Sequence, residues 1–358
     1  MKRILFAVLA YWSLTSALPQ AGNLDGLRQD LEKIVNGFAG DIGGAAKNIE
    51  LDELVMVRGR ELYPMASTYK VAIMAEVFKQ AEEGRFSLED RVELTADLRR
   101  PGSGLLTYFD AGLRPTMRDL ILMMMAVSDN MATDILLNRV GPANVTATMR
   151  KAGLPAIRID RTTREIIGDY NKLLDPRLAT ASPAEVARMR AALTPAQVRA
   201  ANETFTAIEL DVTTPVDMTE LLAKIYKGEM VSKAAGQQMM DILARNQIHT
   251  RLHRNLPDGA RVYSKYGSIG GSLNDVGIMF VGDQHVAISV YLKNSRTERY
   301  LAEDAIGRIA RAVYDYYRYT RRPSPVQSSG ARTTARTARS IGPPGCGIGV
   351  LEGLLAPS

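Results

Sequence analysis

The sequence predicts an α/β chain of the α+β kind: an antiparallel five-stranded sheet flanked by helices, with a second, all-helical lobe. Three observations carry this. Two strand-like stretches lie near the amino-terminal end. Three more lie near the carboxyl-terminal end, where Gly282-Asp283-Gln284 suits a hairpin turn. Between the two groups the pattern is helical almost throughout. Strands joined by hairpins pair antiparallel, and helices at both ends of such an order cover one face of the sheet.

Taken in order, residues 24–38 form an amphipathic helix with Leu27, Leu31, Ile34 and Val35 on its apolar side. Strands follow at 40–49 and 51–57, with Arg58-Gly59-Arg60 as the exit. Helices are expected at 68–83, 117–127, 133–140 and 143–152. Ser182-Pro183 and Thr194-Pro195 open two more, at 182–193 and 194–205, since Ser or Thr caps a helix and Pro suits its first position. A helix at 233–244 precedes strands at 261–265, 275–281 and 285–292. A last helix covers 298–319.

The ends differ from this middle. Lys2 and Arg3, the apolar run from Ile4 to Trp12 and the small residues Thr15-Ser16-Ala17 read as an export signal over 1–17. A secreted or periplasmic protein is expected, with no integral membrane segment once the signal is cut. Residues 321–358 are rich in Arg, Ser, Thr, Pro and Gly and cannot bury enough to order themselves. The folded domain is therefore 18–320. The chain carries 45 Lys and Arg against 39 Asp and Glu, a net +6. Lys2 and Arg3 carry +2 and the tail has five Arg against one Glu, so 18–320 is neutral, which removes the case for nucleic acid as a partner. Cys346 is the one cysteine, which excludes a disulfide scaffold and a cysteine metal cluster. With three histidines and no phosphate-binding glycine loop, neither a metal nor a cofactor is expected.

Three short motifs carry chemistry. Ser67 and Lys70, in Met65-Ala66-Ser67-Thr68-Tyr69-Lys70, stand three apart at a helix start and share one face. A serine hydroxyl is a poor nucleophile until a base takes its proton. A lysine serves only if burial or a second cation lowers its pKa. Ser128-Asp129-Asn130 lies between two helices. There Ser128 could relay a proton to a leaving group, Asn130 could donate its amide to a substrate carbonyl, and Asp129 reads as structural. In Ser264-Lys265-Tyr266-Gly267-Ser268, an inner-strand Lys265 needs a partner and could be that second cation while hydrogen-bonding Ser128. Gly267 lets a substrate backbone come close, and the Ser268 N–H could complete an oxyanion hole.

In this order the motifs resemble those of the class A β-lactamase and penicillin-binding-protein superfamily of serine hydrolases, over about residues 24–320. The resemblance implies that Ser67 is acylated, Lys70 is its base or relay, Ser128 protonates the leaving nitrogen, and Asn130 and Lys265 bind substrate. The N–H groups of Ser67 and Ser268 would form the oxyanion hole. The implied partner is a small β-lactam or acyl-peptide substrate, and the implied state a monomer.

Three features depart from the family pattern. Its deacylating glutamate stands two residues after the arginine of Asp160-Arg161, which here is Thr163. Glu165 reaches that position if the loop distorts, or else pairs with a surface arginine. Tyr266 stands where the family has a small hydroxyl, and Asn274 where a carboxylate-binding arginine is usual; Arg251 or Arg254 would have to substitute. Residues 172–212 form a helical insertion. The sequence therefore supports a β-lactamase-type hydrolase. Two alternatives stay open: a slowly deacylating penicillin-binding, peptidase-like or esterase acyl enzyme, and a non-catalytic binding protein.

Overall fold

The computed structural model describes residues 24–320. The expected export signal and the expected disordered tail with Cys346 lie outside those residues. The sheet is antiparallel, with strands β1 (Asp41–Asn48), β2 (Glu53–Val57), β5 (Arg261–Ile269), β6 (Ser272–Val281) and β7 (Gln284–Lys293) in the order β2-β1-β7-β6-β5. Strands β3 (Tyr63–Pro64) and β4 (Val212–Thr213) form a separate pair that the sequence did not announce, because two residues show no periodicity.

Period-two alternation decides which face each side chain takes. On β7, Val286, Ile288, Val290 and Leu292 join a core built with α1 (Leu24–Asn36) and α11 (Arg299–Asp315). Ala287 and Tyr291, between them, face the larger core of the helical lobe. That lobe is built from α2 (Lys70–Glu82), α3 (Met117–Ala126), α4 (Asn130–Val140), α5 (Pro142–Lys151), α9 (Pro215–Lys227) and α10 (Lys233–Leu243). Its centre is α2, most of whose residues are buried. A helix buried on nearly all sides is apolar nearly all round, which is why the block reads as a core rather than as a surface element.

Two expectations need correction. The stretch after Arg161 is a helix, α6 (Thr163–Leu174), not an open loop. Thr162 and Glu165 form a capping box at its start, a signal present in the sequence. The final α-helix ends at Asp315 and passes into a wider π-type turn at Tyr316–Thr320. The insertion helices α7 (Pro183–Ala191) and α8 (Pro195–Ala207) start at the caps Ser182 and Thr194, as expected. Among the described residues no helix is long and apolar enough to cross a membrane.

Candidate active site

The segment bearing Ser67 is a one-turn 3-10 helix, Ala66–Tyr69, that runs directly into α2. Ser67 lies in its first turn, where backbone N–H groups lack intrahelical acceptors. Ala66 just before it has φ +46°, left-handed for a residue with a Cβ, a local cost that surrounding contacts must hold. Those contacts are specific. Asn274 on β6 donates its amide to the carbonyls of Pro64 (2.8 Å) and Met65 (2.9 Å). Thr68 Oγ1 meets Tyr291 Oη at 2.9 Å. Gly267 on β5 backs onto the turn so closely that a Cβ there would lie 2.8 Å from the Ser67 nitrogen. Only glycine lets the strand approach the serine amide in this way.

Lys70 is fully buried. Its Nζ donates to the Ser128 carbonyl (2.8 Å), to Ser128 Oγ (3.1 Å) and to Asn130 Oδ1 (3.0 Å). Burial pulls its pKa down to about 7, against a smaller upward pull from Asp129 and Asp134. Desolvation of the amine, more than a second cation, is thus what lowers the Lys70 pKa toward neutral pH. Repulsion acts on the other partner: burial and then Lys70 hold Lys265 well below the usual lysine range.

Ser128 also has positive φ, +58°, and its carbonyl accepts from Ser103 Oγ at 2.7 Å as well as from Lys70. Asp129 is structural, as expected. It caps α4 through the Ala132 N–H (2.9 Å) and accepts the N–H groups of Leu105 (2.7 Å) and Leu106 (2.8 Å). Gly104 fits only because it has no side chain: φ is +124°, and a Cβ would sit 2.3 Å from the Asp129 carboxylate. Asn130 directs its amide at the Pro101 carbonyl (2.9 Å), so it closes the Pro101–Gly104 loop over the site as well as holding Lys70. Sequence reasoning passed over Ser103, although Pro-Gly-Ser-Gly at 101–104 is a legible turn signal.

Lys265 enters from β5, fully buried, but does not hold Ser128 as expected. Its Nζ donates to the Tyr266 carbonyl (2.8 Å) and lies 4.0 Å from the centroid of the Tyr266 ring. Burial raises the pKa of the Tyr266 hydroxyl, against smaller downward pulls from Arg251 and Ser128. Of the two candidate arginines, Arg251 is brought here and Arg254 is not: Arg254 lies nearer the surface beside Asp304. Arg251 is buried with its guanidinium 5.7 Å from the Tyr266 ring centroid. It donates to the carbonyls of Gly267 (2.7 Å) and Asn274 (2.6 Å) and to Ser268 Oγ (2.5 Å). Asp275, opposite Tyr266 in the β5–β6 register, is fully buried near Arg251, and desolvation raises its pKa to about 6.

Glu165 is not brought to the site. Its carboxylate accepts the Thr162 N–H and hydroxyl, each at 2.8 Å, on an exposed helix end. A capping-box glutamate turns back along its own helix, so neither a water-activating pose nor a surface arginine claims it. Thr163 points inward instead: its Oγ1 meets Tyr69 Oη at 2.8 Å, and its N–H donates to buried Asp134 at 2.7 Å. The segment bearing α6, α7 and α8 is closed at its base. There Arg161 Nε pairs with Asp211 at 2.7 Å, and the Asp160 and Arg161 N–H groups reach the same carboxylate at 2.8 and 3.0 Å. Helix α8 packs back on α6, with Tyr170 Oη donating to Asn202 at 2.7 Å. Its Phe205 and Asn202 fill the space above Gly270 and Gly271, at the β5–β6 turn.

The chain is similar to known proteins over most of its length. The CARB-3 β-lactamase of Pseudomonas aeruginosa is 24% identical over 81% of this chain and 90% of its own. The L2 β-lactamase of Stenotrophomonas maltophilia is 30% identical over 71% of this chain and 74% of its own. Among solved structures, a β-lactamase from Sphaerobacter thermophilus matches at 25% identity and TM-score 0.65, covering 82% of this chain and 97% of that one. The structure titled PBP-A matches at 23% and TM-score 0.66, covering 82% and 96%, which speaks for the fold. The family model for the beta-lactamase enzyme family matches residues 26–317. Fold, motif order and sequence agree: the chain belongs to the beta-lactamase enzyme family, serine hydrolases of acyl-enzyme type.

Proposed function

We propose that the protein is an exported serine acyl enzyme that opens cyclic amides of the β-lactam kind on Ser67 and releases the acyl group slowly. The observation that carries this is the buried Lys70 amine, which touches Ser128 Oγ and Asn130 one helical turn from Ser67. Neutral Lys70 takes the Ser67 proton as Oγ attacks the carbonyl carbon. The oxyanion faces the backbone N–H groups of Ser67 and Ser268. Lys70 returns the proton through Ser128 Oγ to the ring nitrogen, the C–N bond breaks, and acyl-Ser67 remains.

Slow release follows from the second half of the reaction. Hydrolysis of an ester intermediate needs a general base on water. At the family's glutamate position stands Thr163, already bonded to Tyr69, while Glu165 caps its helix. This favours the penicillin-binding-like outcome over β-lactamase-type turnover.

The test is a mass-spectrometric time course after mixing with a penicillin. A long-lived adduct on Ser67, absent in Ser67→Ala, is expected, and Glu165→Gln should leave its decay unchanged. Rapid return to free enzyme would point to β-lactamase-type turnover. The lack of any adduct would point to a binding protein.

A further inference from the structure

In the family this chain resembles, a small hydroxyl after the strand lysine and a nearby arginine help hold a substrate carboxylate. Here that corner is differently filled. Tyr266 places an aromatic ring against two basic side chains, with Lys265 Nζ at 4.0 Å and the Arg251 guanidinium at 5.7 Å from its centroid. The residue is half-buried, so it is both packed and in part accessible.

The cations themselves are engaged. Lys265 donates to the Tyr266 carbonyl and otherwise lies against the ring face. Both terminal nitrogens of Arg251 are committed, to Gly267, Asn274 and Ser268, and its Nε faces Glu303 at 3.4 Å. A guanidinium whose three nitrogens already face two carbonyls, a hydroxyl and a carboxylate has no bidentate face left for a second carboxylate. Asp275 and Glu303 also offset its charge. An incoming carboxylate would lose water, meet the π-face of a tyrosine and find no free pair of guanidinium donors.

We propose that this site recognises acyl donors with no carboxylate beside the scissile bond: neutral lactams, amides or esters whose leaving group rests on the Tyr266 ring. Tyr266 is the residue that sets this preference. The reacting bonds are those already described. A neutral leaving group departs with the proton handed on by Ser128, and the carbonyl carbon stays on Ser67.

The inference rests on the acyl-Ser67 reading, and one experiment separates the two. Full-length protein is mixed with a matched pair, a penicillin as its free acid and as its neutral methyl ester. Acylation of Ser67 is timed by mass spectrometry for each. The ester should acylate as fast as the acid or faster. Tyr266→Thr should swing the ratio toward the acid by about tenfold, the scale of one charge-assisted hydrogen bond. Tyr266→Phe, which keeps the ring, should keep the wild-type ratio, and thermal melting verifies that each variant is folded. A wild-type preference for the acid of about tenfold or more, or a ratio that Tyr266→Thr does not move, would overturn the proposal while leaving the acyl enzyme intact. If neither compound acylates Ser67, the acyl-enzyme reading falls and this one with it.

Discussion

At the scale of single residues, the proposed reaction depends on how an amine three residues from a serine becomes a base. Lys70 spends its three donors on Ser128 and Asn130, an arrangement that suits the charged form. To accept the Ser67 proton it must first lose one of its own. With burial setting its pKa to about 7, the neutral fraction falls about tenfold for each pH unit below that value. Acylation should therefore rise with pH and level off above about 7, read from adduct formation at a series of pH values. A flat profile from pH 5 to 8 would remove Lys70 from the role of base. The pairing of Lys70 with the Ser67 turn was legible because a spacing of three at a helix start is itself a geometry. What Lys265 and Glu165 bond to was not, since it depends on rotamers. Glu165 illustrates this: counting along the chain brings a carboxylate close, but a hydroxyl three residues earlier captures it as a cap.

At the scale of elements, the strand and helix order was legible because the two periodicities, two and about 3.6, leave different marks. Strand ends and the two-residue β3–β4 pair were not, since they are fixed by partners distant in sequence. Helix α6 was missed for a related reason. Its cap was visible, but expecting a loop there took precedence over reading Thr162-x-x-Glu165 for what it specifies. The neck of this segment invites a test. Arg161 and Asp211 are nearly buried, with side-chain exposures of 11% and 5%. Removing one partner of such a pair leaves the other charge stranded, at a cost of about 3 kcal/mol or more. Asp211→Ala also strips the Asp160 and Arg161 N–H groups of their acceptor. It should lower the melting temperature and hasten proteolytic cutting within 175–195. Unchanged cutting would mean that α8 packing alone holds the segment.

At the scale of the molecule, the buried charges couple stability to pH. Asp275 has a folded-state pKa of about 6 against an ordinary 3.8. Between those values the folded protein keeps a proton that the unfolded chain has released. Stability therefore falls as pH rises through this window, by about 3 kcal/mol if Asp275 acted alone. Asp275→Asn should flatten that part of the curve in urea melts from pH 4 to 6.5, whatever it does to absolute stability. A slope equal to that of the parent would show that Asp275 is ionised throughout. None of this was readable from the sequence, in which Asp275 is one acid in a neutral domain. Its environment is created by packing Arg251, from the link after α10, beneath β5 and β6.

The closed base of the 160–211 segment has one further consequence. Because the chain departs and returns at the same hydrogen-bonded junction, what lies beyond the junction can lengthen without displacing Ser67 or the sheet. Doubling such an excursion costs only about 0.6 kcal/mol of closure entropy, less than one good cap. The segment is thus an excursion whose length is set apart from its anchorage.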